Sequence, residues 1–140
     1  MTGRIFVDTN ILVYAHDADA GEKHTIAAKA ISDLWESGNS IISTQVLQEF
    51  YVTLTRKVAS PLKRNIARRL IGNYLTWDLV INDGKIILHA SEIEENYRLS
   101  FWDCMIVAAA YSKNAATILT EDLKDGQVIE GIRIQNPFLK

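Results

Sequence analysis

Four acidic residues stand at separated points of the chain, each where local sequence would hold it in place. Asp8 follows the β-prone Ile5-Phe6-Val7 directly, Glu49 sits in a helical apolar pattern, Asp103 heads an apolar run, and Asp122 comes just after Thr117-Ile118-Leu119. Carboxylates gathered in one place repel one another when ionised, so such a set keeps a proton or holds a cation. Oxygen donors without paired histidines or thiolates suit the hard ions Mg²⁺ and Mn²⁺ and disfavour zinc. A divalent ion held there acidifies water, and a second one stabilises a leaving oxygen, which makes phosphodiester hydrolysis the expected chemistry. Taken singly, each acid has a structural reading. Asp8 is a good N-cap, Asp103 lies three residues after Ser100 as in a capping box, Glu49 suits a solvated helix face, and Asp122 suits a turn.

The elements that must position these acids are readable from periodicity. Arg4 to Val7 reads as a strand, followed by a helix from Ile11 that the short polar Asp8-Thr9-Asn10 can cap. Ile26, Ala27, Ala30, Ile31, Leu34 and Trp35 recur at helical spacing, giving a helix from Lys23 to Ser37 stopped by Gly38. Ser40 to Ser43 is β-prone, and Val46, Leu47, Phe50 and Leu54 form the stripe of the next helix. With Val46 at zero, Glu49 falls at roughly −60° on that helix, on the shoulder of the apolar face. Ser60-Pro61 suits a helix start, with Ile66, Leu70 and Tyr74 inward. Trp77 to Ile81 reads as a strand, and Asp83 opens a helix with Ile86, Ile87, Ala90, Ile93 and Tyr97 on one side. Met105 to Ala110 is apolar all round, which predicts a buried central helix. Thr117 to Leu119 and the alternating Ile132 and Ile134 complete the strands.

Strands alternating with helices predict an α/β fold with a mainly parallel sheet covered on both faces. Ligands in such sheets gather beyond the carboxyl ends of the strands, where Asp8 and the Thr120-Glu121-Asp122 turn are expected to meet. The 140 residues fit one domain, 1–140, able to bury its own core. A single cysteine, Cys104, excludes an intrachain disulfide framework and is expected in the core. No apolar run reaches a membrane span and no signal peptide is evident, so the expected location is the cytoplasm. Net charge of −2 conceals a segregation: from Phe50 to Trp77 there is no acid, but Arg56, Lys57, Lys63, Arg64, Arg68 and Arg69 all fall there. That cluster is an expected grip for RNA phosphates, a docking face for a protein partner, or an exposed solubilising surface. His16, His24 and His89 show no metal-ligand spacing, and Trp35, Trp77 and Trp102 are expected to serve packing.

Read together, Val7-Asp8-Thr9-Asn10-Ile11-Leu12, Val46-Leu47-Gln48-Glu49-Phe50, Phe101-Trp102-Asp103-Cys104-Met105-Ile106-Val107-Ala108-Ala109-Ala110 and Leu119-Thr120-Glu121-Asp122-Leu123 resemble the PIN-domain family. The likeness extends over nearly the whole chain and is greatest to the VapC-like toxins of prokaryotic toxin–antitoxin pairs. It implies a three-layer PIN-like fold, an acidic Mg²⁺ or Mn²⁺ site, endoribonuclease activity on RNA, and a homodimer restrained by a cognate antitoxin. By position, Asp8, Glu49 and Asp103 resemble the family's three principal acids and Asp122 the fourth, with Asn10 and Thr120 in supporting polar positions. Glu121 and Asp125 are close enough in sequence to replace or supplement Asp122. The mechanism expected has Asp8, Asp103 and Asp122 binding the principal ion, and Glu49 binding a second ion or orienting water. Two other readings stand beside it: a non-catalytic RNA- or partner-binding PIN-like module, and an acidic phosphotransfer or receiver-type domain. The latter fits less well, because Asp8-Thr9-Asn10 lacks a second Asp and no partner lysine follows a late strand.

Overall fold

The computed structural model describes residues 3–139. Its strands are β1 (Ile5–Val7), β2 (Ser40–Ser43), β3 (Asp78–Val80), β4 (Thr117–Leu119), β5 (Val128–Ile129) and β6 (Ile132–Gln135). Its helices are α1 (Thr9–His16), α2 (Glu22–Ser37), α3 (Thr44–Arg56), α4 (Arg64–Tyr74), α5 (Gly84–Asn96) and α6 (Phe101–Ser112), with a short 3₁₀ turn at Ala18–Ala20. The strands form one sheet in the order β3-β2-β1-β4-β6-β5, parallel throughout except for the β5–β6 pair. This is the α/β, mainly parallel, helix-covered architecture expected from the alternation of elements.

β1, β2 and β4 are buried along their whole length, as parallel strands with helices on both faces must be; β1 is apolar throughout, while β2 is Ser-Ile-Ile-Ser and β4 begins with Thr117. α1 packs on α2 and α3, and α3 on α4, while α5 pairs with α6. Right-handed crossovers put these two groups on opposite faces. From β1 the chain steps outward through β2 to β3, then returns across the sheet to place β4 on the other side of β1. The order therefore reverses between β1 and β4, whose registered ends are Val7 and Leu119. At the opposite end of the sheet, Arg4 and Lys113 both pair with Asp78 and hold its carboxyl below the usual range, Arg4 contributing most.

Several boundaries differ from the expectations, each for a local reason. α1 begins at Thr9, not Ile11, because Asp8 itself is the cap and accepts the Thr9 amide. α4 begins at Arg64, not at Ser60-Pro61: the Leu62 amide is drawn to the Leu54 carbonyl, so the chain folds back on α3 before it can coil. Ala67 and Tyr74 are its fully buried positions, with Ile66 and Leu70 only half-buried. On α5 the inward face is Ile86, Ala90 and Ile93, and Ile87 is exposed. β5 went unread in the sequence. It is two residues long and turns into β6 through Glu130 and Gly131, both at positive φ, the conformation tight hairpins need.

Candidate active site

The four acids are delivered by four different elements to the carboxyl end of the sheet. Asp8 leaves β1 and caps α1, Glu49 rides on α3, Asp103 lies in the first turn of α6, and Asp122 follows β4. All four line a cleft of about 730 Å³ at the point where the strand order reverses, the usual ligand position in open α/β sheets.

Asp8 is 5% exposed, and both its oxygens are engaged: Oδ1 accepts the Thr9 amide at 2.7 Å and Oδ2 accepts the Thr120 hydroxyl at 2.8 Å. Burial pushes its carboxyl up to about 7, against those two hydrogen bonds and with the negative charges of Asp122 and Glu49 adding to the rise. Asp103 is raised in the same direction, chiefly by partial burial and then by Asp122, while the Ser100 hydroxyl favours its ionised form. That hydroxyl also accepts the Asp103 amide at 3.1 Å, making the cap that aims the first turn of α6.

The supporting polar residues form a lattice around these acids. Thr120 is fully buried; besides donating to Asp8, its hydroxyl accepts the Asp122 amide at 3.0 Å and the Asn10 side-chain amide at 3.4 Å. Asn10 donates to the Asp122 carboxylate at 2.9 Å and accepts the Glu121 amide at 3.3 Å. The Thr9 hydroxyl donates to Glu49 at 2.7 Å. Glu121 is drawn away from the cleft by Tyr14, at 2.6 Å, and Lys23, at 2.7 Å. Asp125 caps the chain at Asn136, accepting its amide at 2.8 Å. Asp122 is thus the acid of its segment that faces the cleft, and the other two have structural duties elsewhere.

A divalent cation fits this donor set. Every candidate ligand is a hard carboxylate oxygen, and burial with the charges of Asp122 and Glu49 raises the Asp8 carboxyl, an electrostatic cost that a cation would relieve. As the side chains stand, no group of three among the described residues has a metal-holding arrangement. The acids line the cleft while hydrogen bonds from Thr9, Asn10 and Thr120 hold Glu49, Asp122 and Asp8 individually.

The three histidines and Cys104 lie outside the cleft. His16 meets the Tyr74 hydroxyl, His24 the Tyr14 carbonyl and His89 the Glu130 carboxylate. Cys104 is core. All six cations of the Arg56 to Arg69 segment are exposed, but only Lys57 among them reaches the cleft wall. The expectation that the tryptophans all serve packing fails for Trp102, which is 64% exposed and lines the cleft; Trp77, 7% exposed, obeys it. Trp102 precedes Asp103 in the first turn of α6, past the layer of buried residues that begins at Cys104. Its place at a helix start was the available signal, and the apolar run that follows obscured it.

Fold and site together define a family of small α/β proteins with an acidic cleft at the carboxyl edge of a parallel sheet. The PIN-domain model matches residues 5–125, and the chain belongs to that family. Solved structures agree in fold. A toxin–antitoxin complex from Klebsiella pneumoniae matches at 22% identity and TM-score 0.68, over 96% of this chain and 98% of that one. VapC20 from Mycobacterium tuberculosis, a toxin that cleaves the sarcin-ricin loop, matches at 21% and 0.65, over 92% and 98%. DNA-bound VapBC from Salmonella typhimurium matches at 16% and 0.68, over 97% and 99%. Among curated proteins, none matches the sequence.

Proposed function

We propose that this chain is a Mg²⁺- or Mn²⁺-dependent endoribonuclease and the toxin of a toxin–antitoxin pair. The observation that carries the reading is the delivery of Asp8, Glu49, Asp103 and Asp122 by four separate elements to one cleft at the sheet's switch point. These four acids would hold the ion, which when bound neutralises their charge, screens the phosphodiester oxygens and acidifies water. Asp8 is the anchor, fixed by Thr9 and Thr120, and Asn10 and Thr120 set the position of Asp122. Thr9 holds Glu49 at the rim, suited to orienting water or a second ion. Lys57, on the cleft wall, offers a cation to an incoming phosphate.

Toxin–antitoxin assemblies among the solved structures of this fold support a restraining antitoxin, and a homodimer is proposed with it. Among the described residues no helix is long and apolar enough to cross a membrane, and the proposed place of action is the cytoplasm, where RNA is the substrate. The phosphotransfer reading is set aside, because the segment after β1, Asp8-Thr9-Asn10, lacks a second Asp and the chain belongs to the PIN-domain family. RNA cleavage measured with Mg²⁺, Mn²⁺ and EDTA tests the proposal: wild type cuts only with metal, and folded Asp8→Asn and Asp103→Asn variants lose at least a hundredfold in rate, on the order expected when an ion site is broken. Undiminished cleavage in both variants would overturn the assignment. Metal-independent, salt-sensitive RNA binding with no cleavage of varied RNAs would instead favour a non-catalytic module.

A further inference from the structure

Two residues beside Asp103 line the cleft without a part in the chemistry above. Trp102 leaves most of its indole in water, and its ring meets Phe101 edge-on with centroids 5.5 Å apart, which limits its swing. An exposed, laterally restrained indole at a polar cleft offers a face to another flat group. Gln45, in the first turn of α3, is 8% exposed. Its Nε2 donates to the Trp102 carbonyl at 3.4 Å, which joins the starts of α3 and α6 and fixes the sense of the amide. Its Oε1 is buried with no donor among the described residues. Buried amide oxygens are nearly always satisfied, so an orphan on a cleft wall marks a place for a donor carried by the ligand.

Resting on the ribonuclease reading of the cleft, we propose that Trp102 and Gln45 form a nucleobase subsite beside the acidic cluster. Trp102 stacks on a base next to the scissile phosphate, and Gln45 Oε1, closed to water in the free protein, opens to the cleft by a small turn of the side chain and accepts a hydrogen bond from that base's edge. With Nε2 committed to the Trp102 carbonyl, the amide presents only an acceptor. Adenine, cytosine and guanine answer it with an amino group, whereas uracil brings two carbonyls flanking one N–H. The subsite therefore favours amino-bearing bases over uracil.

End-labelled penta-adenylate, penta-cytidylate and penta-uridylate, titrated by anisotropy in EDTA and in Ca²⁺, test this, followed by cleavage kinetics with Mn²⁺. Trp102→Ala should weaken binding of all three by on the order of tenfold, the usual loss for one stacked base, and Trp102→Phe should keep most of the affinity. Gln45→Met should lower adenylate and cytidylate to the level of uridylate and leave uridylate unchanged; thermal melts confirm that all three variants fold. Unchanged RNA affinity in Trp102→Ala overturns the subsite, and an altered sedimentation mass in that variant would assign the indole to a protein contact. If Trp102 and Gln45 control binding but wild type cuts no RNA, the subsite stands and the ribonuclease reading falls. Should wild type cut RNA while Trp102→Ala and Gln45→Met keep its KM, the reverse holds; a wild type that binds none of the three sinks both.

Discussion

Burial holds the Asp8 carboxyl near 7 in the folded protein, against 3.8 for an ordinary aspartate, and the direction of that shift sets how stability varies with pH. A folded value above the unfolded one means that the native state binds the proton more tightly. Its contribution is fully present below about pH 4, declines as pH rises, and is gone above about pH 7. The metal-free protein should therefore lose on the order of 4 kcal/mol between those limits, by the usual equivalence of one pKa unit to about 1.4 kcal/mol. Urea unfolding in EDTA across this range checks it, and Asp8→Asn should flatten the slope. Asparagine can still accept the Thr9 amide, but it cannot accept the Thr120 hydroxyl as the carboxylate does, so the variant gains less absolute stability at pH 8 than the slope implies. Mn²⁺ should raise the melting midpoint at pH 8 and much less at pH 5, where the proton competes for the same oxygens. An equal Mn²⁺ effect in Asp8→Asn would place the ion elsewhere.

At the scale of elements, two helix starts carry much of the site: α1, with Asp8, Thr9 and Asn10, and α6. The first turn of α6 holds Trp102 and Asp103, and its direction is set by the Ser100 hydroxyl on the Asp103 amide. Ser100→Ala should lower stability by about 1 kcal/mol, the common cost of a lost N-cap. RNA cleavage at 25 °C should fall even though the variant remains folded, because the turn that presents Asp103 loosens. Ser100→Asn, another good cap, should recover both; cleavage unaffected by Ser100→Ala would show that packing of Cys104 to Ala110 alone fixes the turn. Elements such as α6 were legible from residues alone, since an all-apolar run with a serine cap admits few other readings. The acidic set was legible for the same reason: strands that end in Asp8 and Thr120 put their polar ends on the same edge once the sheet is parallel. What local pattern did not carry was decided by distant partners. Leu62 binds back to Leu54 and delays α4, Glu121 is taken by Tyr14 and Lys23, and Gln45 meets Trp102 across 57 positions of sequence. Periodicity reports which face of an element is buried and is silent on which remote side chain meets it.

Across the whole molecule, charge is divided between an acidic cleft and a basic arm made by the end of α3, the connection after it, and α4. RNA must be drawn toward carboxylates that repel it, so cations near the cleft should govern affinity and its dependence on salt. Only Lys57 of the six reaches the cleft wall; Arg68 and Arg69 are exposed on α4 away from it. Lys57→Ser should therefore weaken binding of a short single-stranded RNA and reduce the slope of log affinity against log salt by about 0.7, the value for one phosphate contact on a single strand. Arg68→Ser with Arg69→Ser should leave both quantities unchanged for an RNA too short to leave the cleft, and reduce them only as the RNA lengthens onto α4. Anisotropy titrations of a five-nucleotide and a twenty-nucleotide RNA from low to moderate salt separate these cases. If the arginine pair governs the short RNA and Lys57 does not, the RNA enters along α4 and the cleft wall at Lys57 is not its path. If the pair governs neither length, α4 is left with its other expected roles, partner docking or a solubilising surface.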